Sequence, residues 1–351
     1  MRYLVHCVAG LQEVVAAQLQ REGLGPMRFL EREEGFLLLE TGRRAPSLAN
    51  LSYLNNVFLV LSASERVEPQ GLAPALARLA EAETWHRPLI DAMHPRERWF
   101  RLMLSDENRL VAGDREPIDK IIATIARLTG MAFRPRGGDV ELWLIRRRSG
   151  RVYFCRRLSQ RERTERDLEK GELRPELTHL LCLLSEPKPT DVFLDPYAGS
   201  GALPLARAQW PYNLIYAIDH DREKVQAIRR KFKEVERTLA KGGAFIARVE
   251  EATALSKFED GFIDAIVTDP PWGLFDPSVG DPGAHYEAML TGFCRVVKPG
   301  GRVVALLGRD ALVDGLVESF GDRLELELRA DLLVAGQKAV VLKWRRRGEM
   351  L

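Results

Sequence analysis

Apolar positions in the first 158 residues switch repeatedly between strand and helix periods. Residues 3–8 read as a strand, and Leu11, Val14, Val15 and Leu19 lie at helical spacing within residues 10–22. Residues 36–39 predict a second strand, and the apolar stretch 48–61 predicts a helix followed by a strand. A further set follows, with helices over 72–82 and 118–128 and strands over 99–104, 140–145 and 152–155. Two α+β domains are expected, over 1–60 and 61–158.

The pattern then stops. Residues 159–172 are almost entirely polar and offer no face to bury, so they read as a linker. Beyond it, strands at 192–195, 214–219, 245–249, 263–268 and 303–307 are separated by helix-length intervals, which predicts a parallel sheet. Two last strands, 324–328 and 339–344, have no clear helix between them and predict an antiparallel hairpin. An α/β domain of seven strands is therefore expected over 173–351.

Composition narrows the class. The chain has 351 residues, 46% of them hydrophobic and 29% charged, enough to bury sizeable cores in two or three domains. No apolar run approaches the roughly 18 residues that span a bilayer, so neither membrane insertion nor a signal peptide is expected. Cys7, Cys155, Cys182 and Cys294 are far apart in sequence, with neither zinc nor redox spacing. They read as reduced thiols, mostly core filler, in a cytoplasmic protein; a metal site is not expected.

Three strand ends carry chemistry. The first strand of the α/β domain runs into Asp195-Pro196-Tyr197-Ala198-Gly199-Ser200-Gly201-Ala202. Two glycines permit a tight strand-to-helix turn along which a ligand can lie. Pro204 stands where a dinucleotide fingerprint has its last glycine, which argues against a dehydrogenase. The acid before the glycines suits a cofactor bearing an ammonium group and a ribose; a plain Gly-rich turn is the alternative. The second strand also ends in an acid, Asp219, able to accept both hydroxyls of a ribose or to cap the next helix, as Asp221 could equally. After the third strand, Glu251 stands where an adenine amino group would be met, although a charged loop would look the same.

The sharpest feature is Asp269-Pro270-Pro271-Trp272, directly after an apolar strand. Two prolines fix the backbone and remove two donors, leaving bare carbonyls beside a carboxylate. An exocyclic amine with two hydrogens needs such acceptors, which also stabilise the positive charge developing on its nitrogen during methyl transfer. Trp272 would stack on the base, which must leave its helix to be reached. A rigid turn with a buried tryptophan is the alternative.

These motifs, in this order, resemble the class I S-adenosylmethionine-dependent amino-methyltransferases, and the resemblance extends to Val297-Lys298-Pro299-Gly300-Gly301 at the turn into the fifth strand. Within that class, Gly171-Glu172-Leu173-Arg174-Pro175-Glu176-Leu177 followed by the Asp195 and Gly199 motifs is similar to the THUMP-domain RNA guanine-N2 methyltransferases of tRNA and large-subunit rRNA. Gly10-Leu11-Gln12-Glu13-Val14-Val15 resembles that group's N-terminal ferredoxin-like domain, and the stretch from Thr129-Gly130-Met131 to Tyr153 resembles the closing strands of a THUMP domain. The resemblance implies a Rossmann-like catalytic domain, preceded by ferredoxin-like and THUMP-like domains. It implies S-adenosylmethionine bound by Asp195, Pro196, Gly199, Gly201, Asp219, Glu251 and Asp269, with Asp269, Pro270, Pro271 and Trp272 catalytic. The expected substrate is a guanine of tRNA, of the acceptor-stem position-6 type. An rRNA guanine, a DNA adenine or cytosine, and a non-catalytic RNA adaptor are the alternatives, and a monomer is expected.

Charge enters last. The net charge of +2 hides a local excess: residues 134–166 hold eleven arginines against four acids, an excess of seven. Arg134, Arg136, Arg146, Arg147, Arg148, Arg156 and Arg157 are expected to contact RNA phosphates, for which the guanidinium fork is suited. A solvated arginine-rich face is the alternative.

Overall fold

The computed structural model describes residues 1–42, 46–64, 68, 71–159, 168, 172–239, 242–272, 281–308 and 311–348. The chain forms two compact units, one of Met1–Cys7 with Ala16–Arg161, the other of Glu162–Leu351 with the short segment Val8–Val15. Most of the expected linker lies outside the described residues. No helix among them is long and apolar enough to cross a membrane.

The first unit is built on a nine-stranded sheet. Its strands are β1 (Arg2–His6), β2 (Met27–Glu33), β3 (Phe36–Thr41), β4 (Asn56–Ala63), β5 (Trp99–Asp106), β6 (Arg109–Leu110), β7 (Ala132–Phe133), β8 (Val140–Arg146) and β9 (Val152–Arg157). The order is β2-β3-β1-β4-β9-β8-β5-β6, with β7 paired to β5. The helices met along this stretch of chain are α1 (Gln12–Arg21), α2 (Ala73–Glu81), α3 (His86–Ala92) and α4 (Arg115–Thr129). The domain boundary expected at residue 60 falls inside β4, which pairs with β1 on one side and β9 on the other, so one sheet runs across both expected domains. Sequence periodicity missed β2, whose run Met-Arg-Phe-Leu-Glu-Arg-Glu has no clean alternation because it is an edge strand paired only with β3.

The second unit is a Rossmann-like α/β domain. Its seven strands are β10 (Val192–Asp195), β11 (Leu214–Asp219), β12 (Ala244–Val249), β13 (Ile263–Thr268), β14 (Val297–Gly308), β15 (Leu324–Val334) and β16 (Gln337–Arg346), in the order β12-β11-β10-β13-β14-β16-β15. All pairs are parallel except β14–β16 and β15–β16, so the expected C-terminal hairpin is present. The helices are α5 (Pro175–Leu184), α6 (Ala202–Arg207), α7 (Arg222–Val235), α8 (Pro282–Val296) and α9 (Ala311–Ser319). The apolar runs at residues 192–194 of β10 and 265–267 of β13 are fully buried because both faces of a parallel sheet are covered. Leu194, Ile266, Met289, Phe293, Val303 and Leu342 form one core there. β14 starts earlier than expected: Ile263 pairs with Val297 but Ala265 with Arg302, an irregularity spanning Pro299 and Gly300, whose φ is +76°.

Beneath the sheet, Asp191 is buried between two buried arginines. Its oxygens accept from Arg207 Nη2 at 3.3 Å and Arg302 Nη2 at 2.8 Å. All four cysteines are free and buried.

Candidate active site

The order reverses at β10, where β11 and β12 run to one side and β13 and β14 to the other, and ligands bind at the carboxyl ends of strands flanking such a point. Asp195, Asp219 and Asp269 stand at the ends of β10, β11 and β13.

Asp195 is 1% exposed. Its Oδ1 accepts from the Thr268 hydroxyl at 3.0 Å and the Tyr197 N–H at 3.2 Å, while Oδ2 is buried without a partner among the described residues. Burial pushes its carboxyl up to about 8, against the opposing pull of these two hydrogen bonds, and the neighbouring charges of Asp269 and Asp219 add to the rise. A buried acceptor without a donor is costly, so this oxygen calls for a ligand donor, and a cation suits it best.

Asp219 accepts from the Gly199 N–H at 2.9 Å through Oδ2 and from the Asp221 N–H at 2.9 Å through Oδ1. The helix cap is Asp221, whose Oδ1 accepts from the N–H groups of Glu223 and Lys224. That removes capping as the reason for an acid at Asp219. Gly199 and Gly201 have φ of +49° and +85°, and a Cβ on Gly201 would lie 2.9 Å from Ile228 Cγ1. Glycine at 201 is thus required by both conformation and packing of the loop on α7. At the end of β12, Glu250 is buried and ion-paired with Arg248 at 2.8 Å, which leaves exposed Glu251 as the acid open to a ligand. An unpartnered buried carboxylate, a second acid holding the glycine loop, and an open third acid fit S-adenosylmethionine with its ammonium, ribose and adenine.

Asp269 is partly buried, and burial pushes its carboxyl up to about 7 against the hydrogen bond it receives from Trp272. Trp272 Nε1 donates to Asp269 Oδ1 at 3.0 Å and to the Leu306 carbonyl at 3.3 Å. Gly308 makes room for this indole, since a Cβ there would lie 2.9 Å from Trp272 Cβ. Pro270 is buried, and the Pro271 carbonyl accepts from the Tyr286 hydroxyl at 3.3 Å. Residues 273–280, directly after this turn, lie outside the described residues.

Sequence reasoning passed over Thr268, Gly308 and Tyr197 as site residues. Thr268 had a signal, being a hydroxyl residue in an otherwise apolar strand end.

The arginine-rich segment needs correcting. Arg146 is 7% exposed and donates to Asp106 at 2.6 Å, to Glu107 at 2.8 Å and to the Glu68 carbonyl at 3.1 Å. Arg147 is 4% exposed, donates to Asn108 at 2.6 Å and stacks on Phe36. Arg156 is held by Glu97 and the Ala92 carbonyl, and Arg157 by Glu141. A phosphate role fits these four poorly, because their side chains are largely buried and each is already held by acids or polar groups of the fold. Arg134, stacked over Trp99 at 3.4 Å, Arg136 and Arg148 remain exposed. The sequence count could not see the hydrogen-bond partners, which stand 39 to 78 residues away for Arg146, Arg147 and Arg156.

Residues 161–328 match the RMKL-like methyltransferase domain family. The chain is 33% identical over 145 residues to the mouse (Mus musculus) tRNA (guanine(6)-N(2))-methyltransferase THUMP3, covering 38% of this chain and 28% of that protein. It is 32% identical over 147 residues to the tRNA (guanine(6)-N2)-methyltransferase of Thermus thermophilus, covering 41% of this chain and 42% of that protein. The chain thus matches well under half the length of these curated relatives. Among solved structures, TrmN from Thermus thermophilus superposes with a TM-score of 0.74 at 20% identity, covering 99% of this chain and 100% of TrmN. A possible methylase from Clostridium difficile 630 gives 0.70 at 15%, covering 100% of this chain and 98% of that one; both likenesses establish the fold. Over residues 161–328, just under half of its length, the chain is thus similar to the RMKL-like methyltransferase domain family.

Proposed function

We propose that this chain transfers a methyl group from S-adenosylmethionine to the N2 amino group of a guanine in RNA. The substrate proposed is tRNA, at an acceptor-stem guanine of the position-6 type, as the printed names of the two curated relatives suggest. The observation that carries this reading is the set of three strand-end carboxylates, with Asp195 Oδ2 buried and unpartnered beside the carboxylate-and-carbonyl turn at 269–271. Such a cluster resists full ionisation until a cation and hydrogen-bond donors enter.

In this reading Asp195, with Pro196 shaping the turn, takes the cofactor's ammonium. Gly199 and Gly201 let it approach the backbone, Asp219 accepts from its ribose and Glu251 from its adenine. S-adenosylmethionine, when bound, supplies an electrophilic methyl group on a sulfonium sulfur. Asp269 Oδ2 and the Pro270 carbonyl hold the two N–H bonds of the guanine amine, which directs its lone pair. As the amine acquires positive charge, Asp269 stabilises it and accepts the proton that nitrogen sheds. Trp272, fixed by its two Nε1 hydrogen bonds, offers a rigid ring for the flipped base. Arg134, Arg136 and Arg148 would meet phosphates. The buried free cysteines fit a reducing compartment, and the enzyme is proposed to act in the cytoplasm as a monomer.

The test is methyl incorporation into unmodified tRNA, rRNA and duplex DNA, followed by mass spectrometry of the nucleosides. N2-methylguanosine in tRNA supports the reading. Label only in rRNA or DNA corrects the substrate, and no label in any of them, with cofactor still bound, points to an adaptor.

A further inference from the structure

Tyr197 and His285 are not needed for the chemistry above, yet they join the two halves of the site. The Tyr197 N–H donates to Asp195 Oδ1, and its hydroxyl shares a 2.9 Å hydrogen bond with His285 Nε2 in the first turn of α8. The two rings meet edge-on, with centroids 5.7 Å apart. That turn is anchored by Asp281, whose side chain accepts from the Gly283 N–H and whose carbonyl accepts from the His285 N–H, each at 3.0 Å. The next residue, Tyr286, donates to the Pro271 carbonyl. A path of hydrogen bonds, completed by the backbone between His285 and Tyr286, thus runs from Asp195 through Tyr197, His285 and Tyr286 to Pro271. Thr268, bonded to Asp195 Oδ1, ties the other end of the same turn. Burial holds the His285 imidazole below its ordinary value, against the opposing charge of Glu251, so its Nε2 suits a neutral bond with a phenol.

We propose that Tyr197 and His285 are a positioning pair, through which cofactor binding at Asp195 fixes the turn holding the substrate amine. This rests on the proposed methyl transfer, and its test has an arm that needs no substrate. In the full chain, exchange of the Trp272 indole N–H with solvent is followed by NMR with and without S-adenosylhomocysteine. Turnover on unmodified tRNA is measured in parallel.

Wild-type protein is expected to protect that indole when the nucleoside binds. Tyr197→Phe keeps the ring packing and removes only the oxygen. It and His285→Leu are each expected to lose most of the protection and to lower kcat about tenfold, with little change in nucleoside affinity. Because they remove one bond, the double variant should be no worse than either single one. His285→Gln, which can still reach the phenol, should restore at least half of the loss. Protection without turnover in the wild type would retire the methyl-transfer reading and leave the coupling standing. The pair is overturned if the wild-type indole gains no protection, if Tyr197→Phe behaves as wild type in both readouts, or if the two substitutions add.

Discussion

Asp195→Asn separates the cofactor's demands on this residue from those of the fold. The carboxamide oxygen can still accept from Thr268 and Tyr197, and Oδ2, which it replaces with an amide nitrogen, has no partner to lose. With the carboxyl raised from 3.8 to about 8, the free protein is mostly protonated there at pH 7. Because the unfolded chain is ionised at pH 7 while the native protein keeps its proton, removing the charge should leave unfolding free energy at pH 7 unchanged or raised. The sign with pH follows: between about 4 and 8 the native state keeps a proton that the unfolded chain releases, so wild-type stability declines as pH rises through that window. The Asn variant lacks that decline and should be the more stable protein at pH 9. Ligand affinity moves the other way. Losing one partner of a buried charge pair costs about 2–5 kcal/mol, or at least roughly 30-fold in Kd. Calorimetry with S-adenosylhomocysteine at pH 8.5, beside urea denaturation at pH 7 and 9, measures both. A variant that loses several kcal/mol at pH 7 yet binds the nucleoside within threefold of wild type would refute the assignment and make Asp195 a structural anchor.

Three further outcomes are expected. Asp269→Asn should lower single-turnover methyl transfer by about 100- to 1,000-fold, with nucleoside affinity within threefold by calorimetry; loss of affinity alone would contradict its role. With burial raising Asp269 to about 7, the acceptor form is lost on acidification, so wild-type kcat/KM should fall as pH drops below 7, and a flat profile from pH 6 to 8 would refute this. Arg136→Ala should shallow the salt dependence of RNA binding by about one unit of slope without changing stability, whereas Arg147→Ala should lower the urea midpoint; the reverse pattern would return Arg147 to the RNA surface.

The α/β half was legible because a parallel sheet writes itself into sequence as apolar runs at helix-length intervals, each ending at its loop. Asp195, Asp219 and Asp269 were findable for that reason: each directly ends its strand. The first unit was less legible. β2 is an edge strand without alternation, α3 spans only seven residues, and the pairing of β4 with β9 joins residues about a hundred positions apart.

Sequence alone determined where the strands end, which acids stand there, and that two prolines follow the last of them, since these depend on order along one chain. Tertiary structure alone decided which of those groups are satisfied. It assigned the helix cap to Asp221 and left Asp195 Oδ2 without a donor. It turned Arg146, Arg147, Arg156 and Arg157 into internal ion pairs and brought Tyr197 to His285 from 88 residues away. Charge can be counted along a chain, but availability depends on burial and on partners distant in sequence. Only the folded packing sets both.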